Sequence, residues 1–171
     1  MNTVTLRELS REDIPAVQLF LVSHLNAFFQ AGRATPAADE DVFRLRQQFI
    51  QRPENLLLCA WNGERELVAT LAACRYDDRI TELRGRYTPA TTAEICRCYV
   101  DGEYRRRGIG RRMLAAAEAF CQRQGYNMLY LHTHHFLPGG YRFWLGNEFQ
   151  VVMEMHDDWQ LVHMEKPLPA K

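Results

Sequence analysis

The chain has 171 residues, 47 % of them hydrophobic, and its 21 basic residues balance 21 acidic ones. That length suits one domain with a real core, and we expect a single domain over residues 1–171. A net charge of zero argues against a general polyanion binder, so we expect no nucleic-acid partner and look for local clustering of charge.

In chain order, "TVTLREL" alternates as a strand, and Ser10 or Asp13 can cap a following helix with Val17, Leu21 and Leu25 on its apolar face. Pro15 fits only in that helix's first turn. The N-terminus has no apolar signal core, and no apolar run approaches the roughly 18 residues of a membrane span. Both features point to a soluble, cytoplasmic protein without a membrane partner. "GRATPAADE" reads as a loop. The spacing then predicts a second helix over Asp39 to Gln51, with Val42, Phe49 and Ile50 on one side and Arg52-Pro53 ending it.

"NLLLCAWNGERELVATLAACRY" is a hairpin signal, two apolar runs meeting at Asn62-Gly63, the pair best suited to a tight primed turn. "DDRITELRGRYTPATT" is a polar connection with room for short strands. "AEICRCYV" is a strand, "EYRRRGIG" a loop, and Arg111 to Gln124 a helix whose apolar set is Met113, Leu114, Ala117, Phe120 and Cys121, stopped by Gly125. A strand ("NMLYLHT"), a short helix ("PGGYRFWLGN") and two strands ("FQVVMEM", "WQLVHMEKPL") complete the chain. The order implies an α/β (α+β) arrangement, a mixed sheet with helices on its faces. The five cysteines (Cys59, Cys74, Cys96, Cys98, Cys121) are an odd count in apolar surroundings, and free, mostly buried thiols are expected. Cys96-x-Cys98 lacks zinc-ligand spacing, and consecutive His134 and His135 point apart in an extended chain, so no metal site is expected.

The stretch "VDGEYRRRGIGRRMLAAAEAF" sets five arginines within the eight positions Arg105 to Arg112, interrupted by two glycines and followed at once by an amphipathic helix. A loop of this kind running into a helix N-terminus presents unpaired backbone N–H groups to an anion. Gly108 and Gly110 permit close backbone approach, and the arginines add charge-assisted hydrogen bonds. The ligand this arrangement fits best is a pyrophosphate. A dinucleotide fingerprint would need a glycine where Met113 stands, and a P-loop would need Gly-Lys-Ser/Thr.

Arg105-x-x-Gly108-x-Gly110, preceded by "YVDGEY" and followed by the amphipathic helix, resembles the acyl-CoA signature of the GNAT superfamily of N-acyltransferases. The element order resembles that family over nearly the whole chain. The resemblance implies a GNAT fold, a central mixed, mostly antiparallel sheet of six to seven strands with about four helices, splayed between the fourth and fifth strands. It implies acetyl-CoA as cosubstrate and an amine of a small molecule or peptide as acceptor, attacked directly in a ternary complex. It also implies that Cys98, Tyr99 and Val100 offer main-chain contacts to the pantetheine. Backbone amides from Arg106 through Arg107, Gly108, Ile109 and Gly110 to Arg111 would hold the pyrophosphate, with Arg105 and Arg106 near the phosphates. Dimers occur in the family, so a homodimer is a reasonable partner state.

A protonated alkylamine, with a pKa of roughly 10, cannot attack a thioester, so a base is needed. The resemblance puts that base at Glu94, fourteen residues before Gly108. The alternative for Glu94 is a structural carboxylate satisfied by Arg97 or a neighbouring loop. "HTHHF" at the end of the fifth strand lies where the family's acceptor site opens, as an acceptor contact, a proton relay or ordinary packing. The family's usual tyrosine acid is replaced by Trp144, which leaves Tyr141, one turn earlier, as the candidate to protonate the leaving thiolate. That departure keeps open a non-catalytic acyl-CoA-binding domain acting as a sensor or interaction module.

Overall fold

The computed structural model describes residues 3–28 and 42–170. The chain forms two compact units, residues 1–72 with 97–117 and residues 73–96 with 118–171.

In the first unit, β1 (Thr5–Glu8) pairs antiparallel with β2 (Leu56–Trp61), from Thr5↔Trp61 to Glu8↔Leu58. Helix α1 (Ile14–Phe28) buries Val17, Leu21 and Leu25, the i, i+4, i+8 stripe read from the sequence. Its start is fixed by Asp13, whose carboxylate accepts from the Ser10 backbone N–H (3.1 Å) and Ser10 Oγ (2.7 Å) and forms a fork with Arg7, whose Nη2 donates to Oδ1 at 2.8 Å. Arg7 also lies over the Trp61 ring, 4.6 Å from its centroid. The entry to α1 is thereby tied to the β1–β2 pair.

The second helix differs from expectation. Val42 and Leu45 are buried while Phe49 and Ile50 are only half-buried. Its last turn, Arg46–Ile50, is π-wound, with the Gln51 N–H donating to Arg46 O at 3.0 Å. The wider turn rotates Phe49 and Ile50 off the inner face before Pro53 ends the segment. The expected start at Asp39 lies outside the described residues.

The hairpin from β2 to β3 (Leu67–Arg75) forms, but not with a two-residue turn. Asn62 N–H donates to Glu66 O (3.0 Å), Arg65 N–H donates to Asn62 O (3.1 Å), and Arg65, not Gly63, takes a positive φ of 64°. The cause is the Asn62 side chain, whose Oδ1 accepts from the N–H groups of Glu64 and Glu66 and so organises a three-residue loop.

β4 (Thr92–Val100) bends at Arg97, whose φ of 52° is left-handed and whose carbonyl accepts from Thr70 Oγ1 at 2.8 Å. A kink of this kind is how a strand re-aims its side chains without ending. α2 (Ile109–Arg123) starts two residues before the expected Arg111. It ends as read, with Gly125 at φ 86° and the Tyr126 N–H donating to Cys121 O at 2.9 Å.

In the second unit, β5 (Met128–His134) pairs antiparallel with β7 (Leu161–Pro167) along its full length, and β7 with β6 (Gln150–Glu154). β4 runs parallel to β5, with register partners only from Thr92↔Met128 to Glu94↔Tyr130. Beyond Glu94 the two strands share no register partner, which matches the expected splay. Tyr76, Leu83, Tyr87 and Tyr130 form one buried cluster. It anchors the polar connection between β3 and β4, which holds short 3₁₀ turns at Thr81–Leu83 and Pro89–Thr91 where short strands had been allowed for. α3 (Gly140–Gly146) buries Trp144 edge-on against Phe149, ring centroids 5.3 Å apart. The strands thus make a mixed seven-stranded sheet in the order β1-β2-β3-β4-β5-β7-β6. Cys59 and Cys121 are buried and the other three cysteines half-buried, and none of the five is in a disulfide. No helix among the described residues is long and apolar enough to cross a membrane.

Arg7 and Ser10 hold the Asp13 carboxyl down at about 2, with the Arg7 hydrogen bond as the main cause. A depressed carboxyl stabilises the fold above its ordinary value of 3.8 and loses that contribution as pH falls through 2. Asp13→Asn should therefore cost about 1 to 2 kcal/mol at pH 7, after allowing for the half-exposed Arg7. Urea unfolding at pH 7 and near pH 2 checks this. The difference between wild type and variant should be present at the first pH and mostly gone at the second.

Candidate active site

The turn leading into α2 is built from backbone contacts. Asp101 N–H donates to Val68 O (2.9 Å), and the Asp101 carboxylate caps the next turn by accepting from Glu103 N–H (3.0 Å). Tyr104 Oη accepts from Asn62 Nδ2 at 3.0 Å, which ties this loop to the β2–β3 turn. Arg106 and Gly108 then take left-handed φ values of 59° and 77°, and the helix begins at Ile109, with Arg112 N–H donating to Gly108 O (3.1 Å). Alternation of left-handed residues ahead of a helix N-terminus turns successive amides toward one concavity, the geometry of an anion nest. A side chain at Gly108 would meet nothing within 4 Å, so its requirement for glycine is conformational.

The five arginines divide by role. Arg105 folds back, its Nε donating to Val100 O (3.1 Å) and its guanidinium lying 5.6 Å from the Phe28 ring centroid. Arg107 lies over Tyr104, and Arg112 donates to Val4 O. Arg106 and Arg111 are exposed. Next to this turn, Tyr99 stacks on Phe28 (6.2 Å, 12° between planes) and meets His24 (5.5 Å). Cys98, Tyr99 and Val100 are half-buried.

In the second unit Glu94 is only 5 % exposed. Arg79 takes both its oxygens, Nη1 to Oε2 at 2.7 Å and Nη2 to Oε1 at 2.8 Å, while Nη1 also reaches Asp77 Oδ1 at 2.8 Å. Sequence reasoning allowed Arg97 or a neighbouring loop as the partner of Glu94, and the structure takes the second: the partner is in the loop and is not Arg97. It is Arg79, fifteen residues upstream in the β3–β4 connection, a pairing that no periodic pattern announces. The bidentate bond and the surrounding carboxylates raise the Arg79 guanidinium above its ordinary range.

His132 Nδ1 stands 3.6 Å from Glu94 Oε1, with 34 % of the His132 side chain exposed. Burial pushes its imidazole down to about 4, helped by the charge of Arg79 and opposed by Glu94. His163, whose Nδ1 is 2.7 Å from Tyr130 Oη, and His134, whose Nδ1 is 2.6 Å from the Trp159 carbonyl, are also pushed down by burial. Tyr141 packs edge-on against His135 (4.7 Å), and His135 Nε2 lies 3.4 Å from Glu154 Oε1. Trp144, which the resemblance sets where the family's tyrosine is expected, is a core side chain. Among the described residues no group of three or more His, Cys, Asp or Glu side chains is arranged to hold a metal ion.

The fold is shared by many solved structures. An acetyltransferase of the GNAT family from Staphylococcus aureus Mu50 superposes with a TM-score of 0.79 at 16 % identity, covering 98 % of this chain and 100 % of that one. The PaiA N-acetyltransferase of Thermoplasma acidophilum, in complex with coenzyme A, gives 0.66 at 18 % identity, covering 96 % and 99 %. YncA from Salmonella typhimurium, with its cofactor acetyl-CoA, gives 0.72 at 17 % identity, covering 98 % and 95 %. No curated protein sequence matches the chain significantly. The family model described as "Acetyltransferase (GNAT) family" matches residues 19–146, a span that runs from α1 through the left-handed turn to the end of α3. The chain belongs to the GNAT acetyltransferase family.

Proposed function

We propose that this protein is a single-domain N-acetyltransferase that moves acetyl from acetyl-CoA to an amine of a small molecule or peptide by direct attack in a ternary complex. The observation that carries the reading is the left-handed pair Arg106 and Gly108 ahead of the α2 N-terminus. It presents a concavity of backbone N–H groups suited to the pyrophosphate of the cosubstrate. Amides from Arg106 to Arg111, including those of Arg107, Ile109 and Gly110, bind the phosphates. The exposed side chains of Arg106 and Arg111 add charge, and Arg105 braces the turn from Val100. The main chain of Cys98, Tyr99 and Val100 pairs with the pantetheine.

Amide formation makes an N–C bond, breaks the C–S bond, and moves one proton from nitrogen to the departing sulfur. Glu94 supplies the negative charge toward which the amine's proton is drawn. Tyr141 supplies the hydroxyl that protonates the thiolate, in the place that Trp144 cannot fill. A thiolate with a parent pKa of roughly 8.5 needs only modest help, so the Tyr141 contribution is smaller than that of the base.

Gly108→Val forces a β-branched residue into left-handed φ, at a cost of about 1 to 2 kcal/mol, and should weaken acetyl-CoA binding roughly tenfold. Arg112→Ala, which loses only a bond to Val4 O, should change it little. Calorimetric titration compares the two, and equal losses would mean that charge and not the amide turn binds the cosubstrate.

Release of free thiol from acetyl-CoA, measured with a panel of primary amines alongside the mass of the product, tests the activity itself. Thiol and N-acetyl product should appear in equal amounts and only with an acceptor present. Tyr141→Phe should slow single-turnover transfer several-fold without changing acetyl-CoA affinity. Binding of acetyl-CoA with no amine-dependent thiol release would favour the sensor or interaction module instead.

A further inference from the structure

The base group of this site is not open to an acceptor in the way a lone carboxylate would be. Glu94 is 5 % exposed and both of its oxygens accept from Arg79 at 2.7 and 2.8 Å. With both oxygens held in that fork, an amine arriving from solvent has almost no carboxylate surface to touch. His132 stands immediately beside it, 3.6 Å away, with a third of its side chain exposed.

We infer that His132 takes the proton shed by the acceptor amine, and that Glu94 and Arg79 are positioning residues that hold and bias its ring; this rests on the acetyl-transfer reading above. The chemistry of the neighbours sets the tautomer. At 3.6 Å the contact is electrostatic and not a hydrogen bond, and the carboxylate's charge favours hydrogen on the ring nitrogen that faces it, Nδ1, which leaves Nε2 its lone pair for the amine. The ammonium form of the acceptor first gives one proton to solvent; as the freed amine nitrogen bonds to the thioester carbonyl carbon, its next proton passes to Nε2. The imidazolium is stabilised by Glu94 through Nδ1, the C–S bond breaks, and the thiolate is protonated by Tyr141. The imidazolium then gives its proton to solvent, from which Tyr141 recovers one, and no other reactant is needed.

The charged and titratable groups around the ring come from every element packed on it. These are Glu94 on β4, Arg79 on the β3–β4 connection, Tyr130 and His134 on β5, and His163 on β7. Burial disfavours a resting imidazolium most, Glu94 opposes it, and Arg79, His134 and His163 add to it, so the ring is neutral before reaction and has its counter-charge beside it during it.

The test uses the full-length protein, acetyl-CoA, and whichever primary amine of the panel gives amine-dependent thiol release. His132→Ala should lower kcat roughly a hundredfold, with the acetyl-CoA dissociation constant unchanged by calorimetry and the circular dichroism melt intact. Added imidazole should restore part of the rate, and the residual rate should climb with pH as the amine deprotonates by itself. His132→Gln should not be rescued by a further carboxylate base at the same concentration more than by imidazole. A His132→Ala protein that turns over at the wild-type rate, or a slowed one that imidazole leaves unchanged while Glu94→Gln alone abolishes turnover, would return the proton to Glu94 and overturn the inference. In both cases the wild type still transfers acetyl, so the functional reading survives. A wild type that transfers acetyl to no amine would overturn both.

Discussion

A carboxylate buried to 5 % in a β-strand must be neutralised, and Arg79 does this for Glu94 with a two-point bond. Much of the second unit depends on that pair. Arg79 sits in a connection that has little regular structure of its own, held down by the packing of Tyr76, Leu83 and Tyr87 on Tyr130 and by the Tyr76 N–H bond to Thr92 O. The pair therefore joins a polar segment to the strand where β4 and β5 cease to share partners. Removing Arg79 would leave the buried Glu94 carboxylate without its cation, a far larger penalty than the loss of a surface ion pair, whereas removing Glu94 would leave Arg79 half-exposed and still bonded to Asp77. The pair also bears on the ring next door: burial, helped by the positive charge of Arg79, holds the His132 imidazole down, and in the mechanism inferred above the negative charge of Glu94 receives the imidazolium.

On the proposed function the first unit meets a different problem, attraction for phosphate in a chain with no net charge. Its arginine run suggests brute electrostatics, yet three of the five side chains serve the protein itself: Arg105 braces Val100 and Phe28, Arg107 covers Tyr104, and Arg112 reaches Val4. On the proposed reading, what remains for a ligand is the direction of the backbone, set by left-handed residues at Arg106 and Gly108, and the guanidinium groups of Arg106 and Arg111. A fixed set of amides costs no reorganisation on binding and is insensitive to the balance of charge elsewhere.

The order of strands and helices was legible because burial imposes its period on the sequence, as the Val17, Leu21, Leu25 stripe shows. Local exceptions were not. Asn62 organised its own turn through side-chain bonds that override the Asn-Gly preference, and a π-wound turn moved Phe49 and Ile50 off the helix's inner face. The GNAT signature could be found from its spacing, which is short-range in sequence, while Glu94 was named only through the family resemblance. Arg79 could not, because a bond across an irregular connection leaves no period and arginine in a polar stretch reads as solvated. His132 was visible only as one of three histidines in four positions. Its distinction from His134 and His135 comes from which neighbour each faces, a property of the sheet register.

The state of the His132 ring tests the account most directly. Nitrogen-15 NMR of protein labelled at histidine, read across a pH series, reports both which nitrogen carries hydrogen and where the ring titrates. The account predicts hydrogen on Nδ1, a bare Nε2 at pH 7, and no protonation until the pH approaches about 4, with the titration moving upward in an Arg79→Gln protein. Hydrogen on Nε2, or an ordinary titration near 6.5 that Arg79→Gln does not move, would contradict it.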